Sequence, residues 1–426
     1  MNFDIDEIRS YFPALESGDV FFDGPGGTQV TRQTMTAMKQ YFIASNANFH
    51  GAFITSKRTD ETTLEARTAM ADFLNARSEK EIVFGNNMTS LTFNFSRAFG
   101  RKLSPGDEII VSRLDHDANI APWVALEERG IVVRYIDFHH DDCTLDLATF
   151  ESKLNDKTRL VAVGYSSNMF GTVNKIEKII ATARKTKTLV FVDAVHYAPH
   201  APIDVQALDC DFLVCSVYKF FGPHVGVLYG KYDLLNSIEA YKTRAAGDLP
   251  PDKFETGTQN FEGQAGLIAT IDFLASCGKK YRDDFEGKFM SLDGRRRYLK
   301  IAMTAFEAYE SGLFTFLMDE LEKIPRLTIY GITDRNRFKE RIPTVAFRVD
   351  GQTPKETAGE LGQQGIYVWD GHCYAYEPVK QLGLLESGGL VRVGLSIYNS
   401  KEEVERFLVA IKRLAQRSVQ HDGGTE

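Results

Sequence analysis

The sequence predicts an α/β fold with a large, mostly parallel seven-stranded sheet flanked by helices, followed by a smaller C-terminal α+β domain. Two observations support this prediction. Short apolar runs rich in β-branched residues alternate with helical patterns through the middle of the chain, which is typical of a parallel sheet covered on both faces. After about residue 264 this alternation gives way to a long helical pattern and then to mixed strands and helices.

The strands of the large sheet are predicted from seven apolar runs, at 81–84, 107–112, 131–138, 159–167, 188–195, 211–216 and 226–230. Helical patterns follow the first four runs, at 88–99, 119–129, 146–154 and 175–186. The seventh run, "GVLYG", is the candidate for an antiparallel strand. The other runs are expected to lie parallel, because helices separate most of them.

The smaller domain is predicted from a second set of patterns. A helical pattern at roughly 286–322 precedes strand-like runs at 326–331, 344–350, 365–369 and 389–395, with helices near 354–363 and 401–416. We assign residues 20–263 to the large domain, and residues 1–19 with 264–420 to the small one. The polar tail 421–426 is predicted to be disordered.

Composition excludes several function classes. The 426 residues carry a net charge of −8, which argues against non-specific binding to nucleic acids or anionic membranes. There is no apolar run of the roughly 18 residues that span a bilayer, and no signal peptide is evident. Five cysteines without a CxxC pair favour a reducing, cytoplasmic compartment. The run "FHHDDC" (138–143) is more typical of a solvated turn than of a metal site, so no metal is expected.

Polar residues stand where several predicted strands end, which is where parallel α/β sheets bind ligands. Asp193 ends one apolar run, and His196 follows three residues later. Ser216 ends another run, and Lys219 follows it at the same spacing. A helix start rich in hydroxyl and amide groups comes earlier in the chain, at "GNNMTS" (85–90), and its free N–H groups suit an anion.

Each of these features has an ordinary explanation by itself. A serine or threonine before a helix is most often an N-cap, and a lysine after a strand is usually a solvated charge. Together they match a cofactor that carries a phosphate, a basic ring nitrogen and an aldehyde. Pyridoxal phosphate is such a cofactor: a lysine forms a Schiff base with its aldehyde, a carboxylate keeps its ring nitrogen protonated, and a helix N-terminus holds its phosphate.

The chain resembles the class V aminotransferases of fold type I, and most closely their cysteine desulfurase-like branch. The resemblance covers roughly residues 20–416. It rests on seven segments in the family's order: "FFDGPGGTQV", "HDANIAPW", "SSNMFGTVN", "VDAVHYAPH", "CSVYKFFGPHVGVLYG", "FETGTQN" and "VRVGLSIYNSKEEVERF". It implies the fold type I transferase architecture and pyridoxal phosphate as the cofactor.

The resemblance also implies roles at the matching positions. Lys219 would bind the cofactor covalently, and Asp193 would hold its ring nitrogen as a cation. His196 would face the phenolic oxygen of the ring, and Asn168 would lie beside that oxygen or the substrate carboxylate. Arg392 would bind the α-carboxylate of an amino-acid substrate, a task suited to a planar guanidinium.

The phosphate end of the cofactor has its own implied set of residues: Thr89, Ser90, Ser216 and Tyr218. Thr258 matches a residue that reaches the phosphate of the partner subunit, so the resemblance implies a homodimer. The segment containing "GPGG" (24–27) would line the substrate entrance.

Two departures from the family pattern affect the predicted function. Asp117 falls where desulfurases stack a histidine on the ring, so either the preceding His116 takes this place or the ring packs differently. The desulfurase loop usually reads R-x-G-H-H-C, whereas this chain reads "VWDGHCYAYEP" (368–378). Trp369 replaces the arginine, Tyr374 takes the cysteine position, and Cys373 comes one residue early. Cys373 is therefore either incidental or, after a loop shift, a sulfur-accepting nucleophile.

The sequence thus predicts a pyridoxal-phosphate enzyme acting on an amino acid. The first alternative is a cysteine desulfurase-like enzyme, a C–S or C–Se lyase or sulfurtransferase, with the usual cysteine position replaced. The second is a class V aminotransferase, or another lyase or racemase of the same cofactor, without a cysteine nucleophile. A cofactor-binding regulator is disfavoured, since no segment is left for a DNA-binding module.

Overall fold

The structure is a computed structural model that describes residues 3–421, with side chains described as far as residue 416. Its strands are β1 (Val20–Phe21), β2 (Ile82–Gly85), β3 (Glu108–Ser112), β4 (Val132–Ile136), β5 (Phe138–His139), β6 (Thr144–Leu145), β7 (Thr158–Gly164), β8 (Leu189–Asp193), β9 (Phe212–Ser216), β10 (Gly226–Gly230), β11 (Leu327–Tyr330), β12 (Thr344–Val349), β13 (Ile366–Tyr367), β14 (Trp369–Gly371) and β15 (Leu390–Gly394).

The helices occupy much of the remaining described chain. They are α1 (Ile5–Ser10), α2 (Arg32–Ala44), α3 (Ile54–Leu74), α4 (Met88–Gly100), α5 (Ala121–Val124), α6 (Leu147–Lys153), α7 (Ile176–Ala183), α8 (Val205–Leu208), α9 (Tyr232–Ser237), α10 (Phe261–Lys280), α11 (Gly294–Leu321), α12 (Pro354–Gly362), α13 (Tyr376–Gln381) and α14 (Lys401–His421). Helices of the 3₁₀ type fill several of the connections.

The large sheet has seven strands in the order β2-β10-β9-β8-β7-β3-β4. The five strands from β9 to β4 are parallel, and β10 is antiparallel to both β9 and β2. This confirms the predicted fold class, including the antiparallel place of "GVLYG". Strands β3, β9 and β10 are buried along their whole length, which explains why they read as continuous apolar runs.

The C-terminal strands form a separate antiparallel sheet in the order β11-β12-β15-β14. The short strand β1 pairs with β13, so the start of the chain joins this C-terminal layer. The face of the small sheet that carries Phe347, Val391 and Val393 packs into an apolar core with Phe407 of α14. Alternation along β15 therefore directs Arg392 away from that core, which fixes its direction toward the large domain.

Two predicted helices differ from those in the structure. The pattern at 119–129 gives only α5 followed by a 3₁₀ helix over Ala125–Arg129. The pattern at 286–322 becomes a helix only from Gly294, because Gly287 and Gly294 adopt left-handed φ angles of 79° and 55° that interrupt an α-helix.

The predicted domain division at residues 263 and 264 stays a prediction. Helix α10 begins at Phe261, runs across this point and packs against α2, α3 and α11. The tail predicted to be disordered lies outside the described residues, apart from His421, which ends α14. Within residues 3–421, no helix combines the length and apolar character required to cross a bilayer.

Candidate active site

A cleft lies at the carboxyl ends of β7, β8 and β9, beside the N-terminus of α4. This is the edge of a parallel sheet at which ligands bind, because the strand ends and the helix start leave side chains and backbone groups free there. The residues that line it are Asn87, Met88, Thr89, His116, Ala118, Gly164, Ser166, Asn168, Asp193, Val195, His196, Ser216, Tyr218 and Lys219.

Lys219 ends the 3₁₀ turn that follows β9, and it is only 8% exposed. Its Nζ donates a hydrogen bond to the backbone oxygen of Pro25, in the "GPGG" segment. Burial, assisted by the nearby Arg392 guanidinium, lowers the pKa of Lys219 to about 7. A large share of this amine is therefore neutral and nucleophilic near pH 7.

Asp193 is the last residue of β8 and is also buried. One carboxylate oxygen, Oδ1, accepts the N–H of Val195 at 2.9 Å. Burial raises the pKa of Asp193 to about 6, although the Val195 N–H and the charge of Lys219 act in the opposite direction. Above pH 6 the group is mainly a carboxylate, so it can hold a cationic ring nitrogen.

A second buried carboxyl, Asp115, lies close to Asp193. Its Oδ2 accepts hydrogen bonds from Asn119 Nδ2 and from the N–H of Gly164, both at 2.8 Å. Burial raises the pKa of Asp115 to about 8, so the group is mainly uncharged at pH 7. The bond to Gly164 ties the loop after β3 to the end of β7. Sequence reasoning overlooked this residue, although it follows a strand end closely.

His116, rather than Asp117, faces the cleft. The His116 Nδ1 accepts the N–H of Ala118 at 3.0 Å, and its ring stacks on Tyr374 with the centroids 5.3 Å apart. Burial lowers the pKa of His116 to about 3, which keeps the ring neutral. The backbone N–H of Asp117 donates to the oxygen of Tyr374 at 2.8 Å, outside the lining of the cleft. The structure thus places His116, and not Asp117, in the lining of the cleft, while its stacking on the cofactor ring stays a prediction.

His196 also lines the cleft as a neutral ring, because burial lowers its pKa well below the usual value. Its Nε2 lies 3.0 Å from Thr344 Oγ1 of β12. Behind it, the ring of His200 makes an edge contact, and His200 Nδ1 lies 2.8 Å from Glu310 Oε2. Thr344 and Glu310 were not predicted, because they come from distant parts of the chain, and His200 was not singled out although it follows His196 by four residues.

Asn168 and Arg392 connect the two domains at the cleft. Arg392 Nη1 donates to the backbone oxygen of Asn168 at 2.8 Å, and Asn168 Nδ2 donates to the backbone oxygen of Cys373 at the same distance. Asn168 Oδ1 and Arg392 Nε are both buried and have no hydrogen-bond partner among the described residues. Buried polar atoms without a partner are costly, so these two atoms are available to bind a ligand.

The predicted phosphate residues are only partly brought together. Ser216 Oγ accepts the N–H of Met88 at 3.4 Å, so this hydroxyl stands at the first turn of α4. Thr89 and Tyr218 also line the cleft. Ser90 donates its N–H to the capping Asn87 side chain, and its own side chain is exposed outside the lining.

Thr258 lies outside the cleft as well. The residue is exposed on the segment between a 3₁₀ helix and α10, and it is not among the residues that line the cleft.

Cys373 lies in the turn between β14 and α13, and both it and Tyr374 adopt left-handed φ angles, of 47° and 59°. The side chain is half-buried, and its Sγ is 3.9 Å from the backbone oxygen of Asp370. Burial raises the pKa of this thiol, although the charges of Arg392 and Lys219 lower it. The thiol is thus mainly protonated at pH 7, which does not favour a nucleophile.

The residues present fit pyridoxal phosphate. The buried amine of Lys219 suits an aldehyde, the buried carboxylate of Asp193 suits a ring cation, and Asn168 Oδ1 lacks a partner. The start of α4 offers backbone N–H groups and hydroxyls for a phosphate. The required chemical groups thus surround one cleft.

Comparison with known proteins identifies the family. The family model described as aminotransferase class V matches residues 20–291 and 285–407. The chain belongs to the class V aminotransferase family. Among its relatives, a cysteine desulfurase of Pectobacterium atrosepticum is 29% identical over 435 residues, covering 97% of this chain and 98% of that protein. An aminotransferase-like protein of Gibberella zeae is 32% identical, covering 96% and 98%.

The solved structure of the apo cysteine desulfurase from Thermococcus onnurineus superposes with a TM-score of 0.83 at 28% identity, covering 98% of this chain and 99% of that one. These comparisons confirm the predicted family, the fold type I architecture and the pyridoxal-phosphate cofactor. This class V family member is a cofactor-dependent transferase or lyase. The roles of the individual side chains stay predictions.

The pKa values of Lys219 and Asp193 predict how cofactor uptake depends on pH. Since a neutral amine and an ionised carboxylate are needed, uptake by the apoprotein should accelerate as the pH rises from about 6 through about 7 and then level off. Stopped-flow absorbance after mixing apoprotein with pyridoxal phosphate measures this rate. A rate that is constant from pH 5.5 to 8.5 would contradict these assignments.

Proposed function

We propose that this protein uses pyridoxal phosphate to break a C–S or C–Se bond in an α-amino acid, as a lyase or sulfurtransferase. The observation that carries the proposal is the position of a largely neutral, buried Lys219 beside the Arg392 guanidinium and the Asp193 carboxylate. An amine, a carboxylate clamp and a ring-nitrogen partner are what amino-acid chemistry on this cofactor requires. The C–S part of the proposal is supported by relatives named as cysteine desulfurases.

The residues that would hold the cofactor can be named. Lys219 would hold it covalently through Nζ, Asp193 would bind its ring nitrogen, and His196 and Asn168 would lie beside its phenolic oxygen. When bound, pyridoxal phosphate would withdraw electrons from the Cα of the amino acid. The phosphate is assigned to the start of α4, with Thr89, Ser216 and Tyr218 of the predicted set, since Ser90 lies outside the lining of the cleft.

The chain's own groups bind the substrate and move its proton. Arg392 binds the α-carboxylate, using the Nε that lacks a partner together with its other N–H groups. Lys219 Nζ, neutral near pH 7, takes the proton from Cα as the general base. The neutral rings of His116 and His196 keep water and further charge away from the reacting atoms.

A class V aminotransferase, or another lyase or racemase that needs no thiol, is the second candidate. It is favoured by the raised pKa of the Cys373 thiol and by the presence of Tyr374 in the usual cysteine position. The bond from Asn168 Nδ2 to the Cys373 backbone oxygen also holds this turn against the cleft. These observations disfavour a mobile loop that would carry Cys373 to the substrate as a thiolate.

We also propose that two copies of the chain form the active unit. Helices α2 and α3, with the residue that precedes α3, expose a set of large apolar side chains: Met35, Phe42, Ile43, Phe53, Ile54 and Leu64. A second copy would cover this surface and would give the exposed Thr258 a phosphate to bind, in the neighbouring cleft.

Exchange of the Cα hydrogen tests the proposed function independently of the product formed. The holoenzyme in D₂O should replace the Cα hydrogen of cysteine or alanine with deuterium, as followed by NMR. Lys219→Ala should lower this rate by about 10²–10⁴-fold, because the general base is lost. Arg392→Lys, which keeps the charge but loses the fork, should mainly raise KM. Undiminished exchange in Lys219→Ala would disprove the proposed base.

The fate of sulfur separates the two candidate functions. With cysteine as the substrate, sulfide and alanine or pyruvate are measured for the wild type and for Cys373→Ala, with Cys277→Ala, a buried cysteine of α10, as the matched control. Since the thiol is mainly protonated, we expect Cys373→Ala to keep C–S cleavage within about threefold of the control. A loss of more than tenfold confined to Cys373→Ala would show that this thiol accepts sulfur.

Subunit complementation tests the proposed dimer. Mixed refolding of Thr258→Ala and Lys219→Ala chains should produce dimers that contain one cleft with both wild-type residues, so activity should exceed that of either parent. Light scattering gives the mass of the native protein. A monomer that binds the cofactor with full affinity would refute the shared site.

A further inference from the structure

One aromatic side chain beside the cleft has no role in the mechanism above. Trp369 is one of two tryptophans in the sequence, and it is 45% exposed although tryptophan is a residue that proteins usually bury. The other, Trp123, is fully buried among phenylalanines of the large domain. The exposed indole therefore needs an explanation other than core packing.

The register of the small sheet places Trp369 next to Arg392. Strands β14 and β15 are antiparallel, and these two residues are direct partners across the ladder. Directly opposed residues project from the same face of a sheet, with Cβ atoms about 4.5–5.5 Å apart. The two side chains consequently leave the same face of the sheet, the one turned away from the core of the small sheet.

The indole is held in a fixed position rather than free in solvent. Its Nε1 donates to the backbone oxygen of Asp23 at 3.0 Å. A Cβ added at Gly26 would lie 2.1 Å from the same nitrogen, so the ring rests directly on this glycine. Pro25, one of the two residues between them, is the one whose oxygen accepts the bond from Lys219. One short turn thus links the indole to the reacting amine.

Other aromatic rings continue this surface. Tyr374 is 67% exposed and stacks on His116, which lines the cleft. Tyr376 is 44% exposed and makes an edge contact with His372. Of these two rings, Tyr374 is the one that contacts a lining residue of the cleft.

We propose that Trp369 is a specificity-determining residue that selects α-amino acids with aromatic or large apolar side chains, including cysteines substituted on sulfur. The inference rests on the proposed function, because it takes Arg392 as the carboxylate clamp. A substrate whose carboxylate lies on Arg392 would approach the sheet face from which the indole also projects. A large apolar substituent then covers the indole and gains stacking and burial, whereas the methyl group of alanine reaches neither.

Competing Cα hydrogen exchange measures this selection within one reaction. Phenylalanine and alanine are mixed with the holoenzyme in D₂O, and the ratio of their kcat/KM values is read by NMR. Wild type should prefer phenylalanine, and Trp369→Ala should reduce the preference about tenfold. Trp369→Phe retains an aromatic ring and should keep most of the preference for phenylalanine.

Tyr367→Ala is the matched control. Tyr367 is an aromatic residue of similar exposure, 37%, only two positions away, but its hydroxyl hydrogen-bonds Asp19 rather than facing the cleft. This variant should leave the phenylalanine-to-alanine ratio unchanged. An equal ratio in wild type and Trp369→Ala, or a wild type without preference for phenylalanine, would overturn the proposal.

Fluorescence supplies a readout that does not depend on turnover. Acrylamide should quench the wild-type emission partly, and saturating phenylalanine should protect it, because Trp369 becomes covered while Trp123 is already buried. Trp369→Phe should lose both effects. If phenylalanine protects but no amino acid exchanges, the proposed function fails and the binding site remains. If exchange proceeds but phenylalanine does not protect the indole from acrylamide, the specificity role of Trp369 is wrong and the proposed function stands. The same conclusion follows if acrylamide does not quench the indole in the free enzyme.

Discussion

The site depends on keeping the amine of Lys219 uncharged in a buried place. An ammonium ion in that position would have to be paired, and the nearest strong cation, Arg392, repels it further. The fold buries the amine by ending β9 in a tight turn. Lys219 is the last residue of this turn, and its side chain lies in the cleft against the backbone oxygen of Pro25. The acid that faces it, Asp193, is fixed by β8, so sheet register sets the relation between the two groups.

The cleft is completed by the small domain, which explains why the start and end of the chain are paired. Strand β1 joins β13, and the turn after β1 carries both Asp23 and Pro25 to the site. The opposite face of the small sheet packs on α14, so alternation along β15 leaves Arg392 directed at the large domain. Trp369 of β14 pairs with Arg392 across the ladder, so its side chain leaves the same face. Under the proposed function, the small sheet would therefore bind the substrate, and the large sheet would carry the groups that react with it.

The sequence was sufficient to predict those parts of the site that depend on residues close together in the chain. Apolar runs predicted the strands of the large sheet, and strand ends predicted Asp193, Ser216 and Lys219, because a parallel sheet gathers its carboxyl ends at one edge. Contacts between residues that are far apart in the chain could not be predicted from the sequence. Glu310 behind His200, or the Pro25 oxygen at Lys219, leaves no periodic pattern in the chain. The one-residue choice between His116 and Asp117 depended on a turn conformation that composition does not reveal.

The central claim is that Lys219 is the residue that binds the cofactor. Borohydride reduction of the holoprotein fixes pyridoxal phosphate to whichever lysine holds it, and peptide mass spectrometry then locates the modified side chain. The account predicts stoichiometric labelling of Lys219, with the other buried lysine amines, Lys253 and Lys300, unmodified. Labelling of a different lysine in the wild type, or an unlabelled holoprotein, would contradict it.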